Sequence, residues 1–105
     1  MEVVQSSYQT QAFKTMEAIA DVLENHNDLE IDFDGKALQI SLSDGKQYLI
    51  NFHGVTSQLW LSSPFSGAHH FEYKSEQWKS TRMNMDLNML LETEFEKQLG
   101  YSVNL

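Results

Sequence analysis

The stretch Gln58-Leu59-Trp60-Leu61-Ser62-Ser63-Pro64-Phe65-Ser66-Gly67 decides the fold through the direction in which its tryptophan points. If Leu59 and Leu61 face a core from a strand of period two, Gln58 and Trp60 lie on the opposite, wetter face. Burying that indole would stabilise the chain by about 4–6 kcal/mol gross, so an outward position implies that a partner covers it. The alternation with Leu59 and Leu61 favours the outward reading, and tryptophan is the side chain most enriched in interface hot spots.

Working outward, Asp44-Gly45 marks a hairpin that leads into a strand from Gln47 to Phe52, with Tyr48, Ile50 and Phe52 inward and Gln47, Leu49 and Asn51 outward. Leu38, Ile40 and Leu42 have the same period in the preceding strand, and Glu30 to Asp34 reads as a half-buried strand with Ile31 and Phe33 inward. Beyond Pro64 and Gly67, His69 to Tyr73 alternates again with His70 and Glu72 outward, and a short strand follows near Trp78. Ala12, Phe13, Met16, Ile19, Ala20 and Leu23 recur at helical spacing between Ser6 and Asn25. Asp86 is the expected N-cap of a second helix whose stripe is Leu87, Leu90, Leu91, Phe95 and Leu99, ended by Gly100. This order predicts a single α+β domain over residues 1–105: a two-layer sandwich of five or six antiparallel strands with both helices on one face. The outward rows then place Asn51, Gln58, Trp60 and His70 on neighbouring strands of the open face.

The charge is as uneven as the hydropathy is regular. Of the net −8, residues 1–34 carry −7: Glu2, Glu17, Asp21, Glu24, Asp28, Glu30, Asp32 and Asp34 oppose Lys14 alone. Such a field argues against nucleic acid and for cations or basic protein surfaces. Glu17, Asp21, Glu24 and Asp28, spaced by four, three and four, are expected along one helix edge, with Glu30, Asp32 and Asp34 on the outward side of the next strand. Each like-charge pair at that helical spacing costs about 0.2–0.5 kcal/mol, which a solvated face tolerates but stability alone does not favour. An all-oxygen ridge suits Fe²⁺, Mn²⁺, Ca²⁺ or Mg²⁺, held loosely and with little selectivity. Glu30 to Gly35 imitates the start of an EF-hand loop, but its twelfth position is Ser41 where a bidentate Glu is required.

Several chemistries are excluded. The chain has no cysteine, hence no disulfide framework, thiolate site or cysteine nucleophile. His26, His53, His69 and His70 have no metal-binding pairing, and adjacent strand residues such as His69 and His70 point to opposite faces. No phosphate loop or hydrolytic triad order is present. No apolar run is long enough to span a membrane, and Met1 to Gln5 is too short and not basic enough for a signal peptide, so a soluble protein is expected.

Tyr48-Leu-Ile-Asn51, Gln58-Leu-Trp-Leu-Ser-Ser-Pro64, Ser66-Gly67, His70-Phe71, Trp78 and Leu87 to Leu91 together resemble the frataxin family, which includes the bacterial CyaY proteins, from about Tyr8 to Leu99. The resemblance implies an α+β sandwich that binds ferrous iron weakly through the acidic ridge and acts in iron–sulfur cluster assembly as an iron chaperone or regulator. It further implies docking on a complex of cysteine desulfurase and scaffold protein, the ridge facing the desulfurase and Asn51, Gln58, Trp60 and His70 facing the scaffold, with no independent catalysis. A ferroxidase and iron-storage role in metal-dependent oligomers, rather than a monomer, is the alternative that the family also carries. A third reading is an acidic module for an unrelated basic protein. The family places such a chain in the mitochondrial matrix, once its transit peptide is removed, or in the bacterial cytoplasm. The chain departs from the family pattern at Phe52, His53 and Val55 and at Ala68-His69-His70.

Overall fold

A computed structural model describes residues 4–105, with side chains from Ser7 onward; Glu2 of the acidic third lies outside the described residues. The elements follow in the order α1 (Val4–Leu23), β1 (Leu29–Phe33), β2 (Ala37–Leu42), β3 (Gln47–His53), β4 (Gln58–Ser63), β5 (Gly67–Lys74), β6 (Gln77–Ser80) and α2 (Leu87–Leu99). The strands form one antiparallel sheet in which spatial order equals chain order, a meander with β1 and β6 at its edges. This is the expected α+β sandwich with six strands. Neither helix is long and apolar enough to cross a membrane.

One face of the sheet supplies Leu38, Ile40, Tyr48, Ile50, Leu59, Leu61 and Phe71 to the core. Met16, Ile19 and Leu23 of α1 and Leu87, Leu91 and Phe95 of α2 close over them. Trp78 is buried with this group, and its indole N–H donates to Thr15 Oγ at 3.0 Å, which satisfies the one polar atom that burial would otherwise orphan. Asp86 caps α2 by accepting from the Met89 amide at 2.8 Å, and Gly100 ends it at φ 83°, a left-handed conformation that favours glycine. The tail folds back, burying Val103.

Two expected boundaries move. α1 ends at Leu23, although the Glu24 amide still reaches Ala20 O, so Asp28 lies beyond the helix in the connection to β1. Asp34 lies beyond β1: its Oδ1 accepts from the amides of Lys36 and Ala37, and it makes the β1–β2 turn rather than the next outward strand position.

The Ser-Ser-Pro-Phe-Ser-Gly segment clamps sheet to helix. Ser63 Oγ accepts from the amides of Phe65 and Ser66, and donates to Glu94 Oε1 on α2 at 2.7 Å. The buried Tyr48 hydroxyl donates to the same oxygen at 2.7 Å, and Ser66 Oγ donates to Oε2. With its hydrogen given to Glu94, Ser66 Oγ accepts from His69 Nε2 at 2.8 Å, which leaves His69 Nδ1 to accept from the Arg82 guanidinium at 3.2 Å. Arg82 also donates to Ser66 O and Ala68 O. One carboxylate thereby fixes β3, the β4–β5 turn and α2 together. Glu94→Ala leaves the Tyr48 and Ser63 hydroxyls buried without an acceptor and is expected to destabilise the fold by about 2–4 kcal/mol, measured as a shift in urea midpoint.

His69 is buried in this cluster, and burial first, then the Arg82 charge, hold its imidazole below its ordinary value of 6.5. The unfolded chain binds that proton more readily than the folded one. His69 therefore contributes fully above about pH 6.5, and its contribution is lost as pH falls through the lower folded value. Stability should decline with acidification from neutral pH, and His69→Gln should flatten that decline in urea titrations across the window.

Candidate binding surface of the open sheet

The strand alternation that buries Leu59 and Leu61 turns Trp60 onto the face opposite the helices. Cross-strand pairing aligns Ala37, Asn51, Trp60 and His70 in one row, with Leu49, Ser62 and Ala68 in the next. A third row holds His53, Gln58 and Glu72. The expected set Asn51, Gln58, Trp60 and His70 is therefore brought together.

The indole is not bare. His70, directly opposite it on β5, stacks on one side at 4.3 Å between ring centroids and 11° between planes, and His53 stacks at 3.8 Å and 10°. Gln58 Oε1 accepts from the indole N–H at 2.9 Å, and the Gln58 amide donates to Glu72 Oε2 at 3.3 Å. Thr56 Oγ holds His53 Nδ1 at 2.8 Å. His53 and Thr56 escape a reading by period alone because the contact is diagonal across β3 and β4 and depends on where the intervening turn places Thr56. Beside the stack, a shallow depression of about 140 Å³ is lined by Leu49, Asn51, Trp60, Ser62, Ala68 and His70. Leu49 is 44% exposed there, whereas Tyr48 and Ile50 on the other face of the same strand are fully buried. A stacked indole, a hydrogen-bonded Gln58 amide and an exposed leucine make a patch of the kind found at interfaces, with part of its side-chain entropy already lost in the free chain.

The acidic residues occupy two sides of the same edge. Glu17 and Asp21 are exposed on α1, with Glu24 in the helical turn that follows it, while Glu30 and Asp32 alternate with the core-facing Leu29, Ile31 and Phe33, which turns them to the open face. Asp28 is exposed in the connecting turn and accepts from the Tyr101 hydroxyl at 2.8 Å, while Tyr101 stacks on His26. That bond to Asp28 is the main cause that pushes the Tyr101 phenol up. Amide donation from Ala37, then Lys36, holds the Asp34 carboxyl below the usual carboxylate range, and commits it to its turn. Among the described residues the ion pairs are Lys46–Asp44 and Lys74–Glu72, so none of these seven acids is neutralised from within. Among the described residues no three His, Asp or Glu side chains converge as a metal cage. The acids offer an oxygen-lined slope for a hydrated dication, not a closed site.

Ser66 is hydrogen-bonded to both His69 and Glu94, but the three do not form a hydrolytic triad. The serine lies between acid and imidazole, and the amides of Phe65 and Ser66 are turned into Ser63 Oγ instead of toward an oxyanion.

His53→Ala is expected to unstack one side of Trp60, to cost about 0.5–1.5 kcal/mol, and to accelerate hydrogen exchange at the Trp60 indole while leaving that of Trp78 unchanged, as read by ¹⁵N NMR.

The frataxin-like domain family matches residues 1–101. The mitochondrial frataxin homologue of Schizosaccharomyces pombe is 34% identical over 98 residues, covering 86% of this chain and 62% of that protein's length. The iron-sulfur cluster assembly protein CyaY of Vibrio vulnificus is 28% identical over 81 residues, covering 77% of each. Among solved structures, frataxin from Psychromonas ingrahamii superposes with a TM-score of 0.87 at 21% identity over 97% of both chains. Trimeric frataxin of Saccharomyces cerevisiae complexed with ferrous iron gives a TM-score of 0.69 at 23% identity over 96% of this chain and 89% of that one. With residues 1–101 matched by its domain and a relative 34% identical, this chain belongs to the frataxin-like family.

Proposed function

We propose that the chain is an iron-binding regulator of iron–sulfur cluster assembly that docks on a complex of cysteine desulfurase and scaffold protein. It delivers or senses Fe(II) and modulates sulfur transfer there. Support for the assembly role comes from relatives named frataxin and iron-sulfur cluster assembly protein CyaY, and support for iron from the yeast structural relative solved with ferrous iron. The observation that carries the docking reading is the sandwiched Trp60 beside Leu49 on a sheet face that none of the described elements covers. Asn51, Gln58, Trp60 and His70 form the scaffold-facing surface in this reading. Glu17, Asp21, Glu24, Asp28, Glu30 and Asp32 form the slope for Fe(II), other divalent cations and basic desulfurase side chains, with Asp34 contributing field more than ligation.

The ferroxidase and storage reading draws on the trimeric state of the yeast relatives. It needs carboxylates converging on one ion, which among the described residues of one chain they do not, so it requires that protomers bring their acids together. The mitochondrial and bacterial relatives suit either expected compartment.

Trp60→Ala should weaken binding to the desulfurase–scaffold complex at least tenfold, as expected for a hot-spot anchor, with the circular dichroism spectrum unchanged. The charge reversals Asp21→Lys and Glu24→Lys together should reduce desulfurase binding and flatten its salt dependence. Wild-type affinity in both variants would remove the docking assignment, and Fe(II)-induced NMR shifts confined to residues away from the acids would remove the iron assignment.

A further inference from the structure

Three of the five methionines fall within seven residues, Met83-Asn-Met85-Asp-Leu-Asn-Met89, while Met16 is buried in the core. The loop between β6 and α2 and the first turn of α2 gather all three around one depression of about 260 Å³, which Gln77, Lys79, Ser80, Asn84 and Asp86 complete. Its backbone is pinned. The Ser80 amide donates to Met85 O at 2.9 Å, Ser80 Oγ accepts from the Met83 amide at 3.0 Å, and Asp86 accepts from the Met89 amide one turn into α2. Met83 is 42% exposed and Met89 47%, while Met85 packs partly against the core. Packing alone gives no reason for two thioethers to meet solvent at one spot.

We propose that Met83, Met85 and Met89 form a Cu(I) site. Thioether sulfur is a soft, neutral donor that selects Cu(I) over hard dications, and methionine is this cysteine-free chain's sole source of soft sulfur. Three sulfurs satisfy an ion that accepts low coordination numbers, and the unbranched side chains can swing to meet it from fixed backbone positions. Lys79 and Asp86 at the rim carry opposite charges, so the selection against dications rests on the softness of the sulfur donors. The site lies by the β6 edge, five strand spacings or about 24 Å from the acidic β1 edge, so the hard and soft donor sets do not share an ion.

The full chain is titrated anaerobically with Cu(I) in competition with a chromophoric Cu(I) chelator, while the methionine methyl groups are followed by ¹³C NMR. One Cu(I) per chain is expected, with the methyl resonances of Met83, Met85 and Met89 shifting and that of Met16 unmoved, and with a tenfold excess of Fe(II) displacing none of it. The Met83→Leu, Met89→Leu double variant keeps volume and apolarity and is expected to lose at least tenfold in Cu(I) affinity, whereas Met1→Leu retains it. Uptake equal in wild type and double variant, methyl shifts absent from the three, or no uptake in competition with the chelator overturns the proposal.

Discussion

The Glu94 carboxylate is the constraint on which the sheet's working face depends. Its two oxygens collect three hydroxyl donors from β3, the end of β4 and the β4–β5 turn, while its backbone belongs to α2. A partly buried carboxylate needs such donors to offset its desolvation, and the buried Tyr48 and Ser63 hydroxyls both depend on it as their acceptor. The arrangement specifies register more than it adds stability. A shift of β4 by one residue would turn Ser63 away from Glu94, and would also put Trp60 into the core and Leu59 and Leu61 into water. Burial of Tyr48 and its bond to Glu94 push that phenol far up, which keeps it a donor at neutral pH.

What the clamp fixes on the inner side, the histidines refine on the outer. Period two places the indole outside, but an indole on a bare sheet has several rotamers, and a partner binding it would have to select one. His53 and His70 close both faces of the ring, and Gln58 takes its N–H, so one rotamer is held and the edge beside Leu49 stays available. The apolar penalty of the outward tryptophan is thereby reduced without removing it from reach.

The fold was legible because the period-two runs are long and regular: Leu38, Ile40 and Leu42, Tyr48 and Ile50, and Leu59 and Leu61 recur at every second position and face one way, and Asp44, Asp86 and Gly100 mark ends by local hydrogen-bonding chemistry. The patch of Asn51, Gln58, Trp60 and His70 followed from the same alternation. Side-chain geometry at turns was less legible. The heptad-like spacing of Glu17 to Asp28 extends one turn past the end of the helix, because Asn25 and Asn27 favour local turns over helix continuation. Asp34 looks like a third outward strand acid until its oxygen is seen serving two amides. The Glu94 clamp joins residues 46, 31 and 28 positions apart, a coincidence that no local pattern encodes. His53 departs from the family pattern, and its role emerges from the register that puts it diagonal to Trp60.

The unpaired acids are a second choice against stability, and their placement explains why it is affordable. Lys46 and Lys74 are each engaged by an acid two positions away, and Arg82 is drawn into the His69 cluster, so three of the chain's seven cations are committed to local contacts. Glu17, Asp21 and Glu24 lie along one side of the edge and Glu30 and Asp32 on the other, which spreads the like charges across two faces of a thin sandwich and lets water screen each group separately. The repulsion that remains at helical spacing is a few tenths of a kcal/mol per pair, well below the several kcal/mol contributed by the core. A hydrated cation or a basic surface approaching this edge would relieve that repulsion and, among the described residues, would meet no ion pair that must first break.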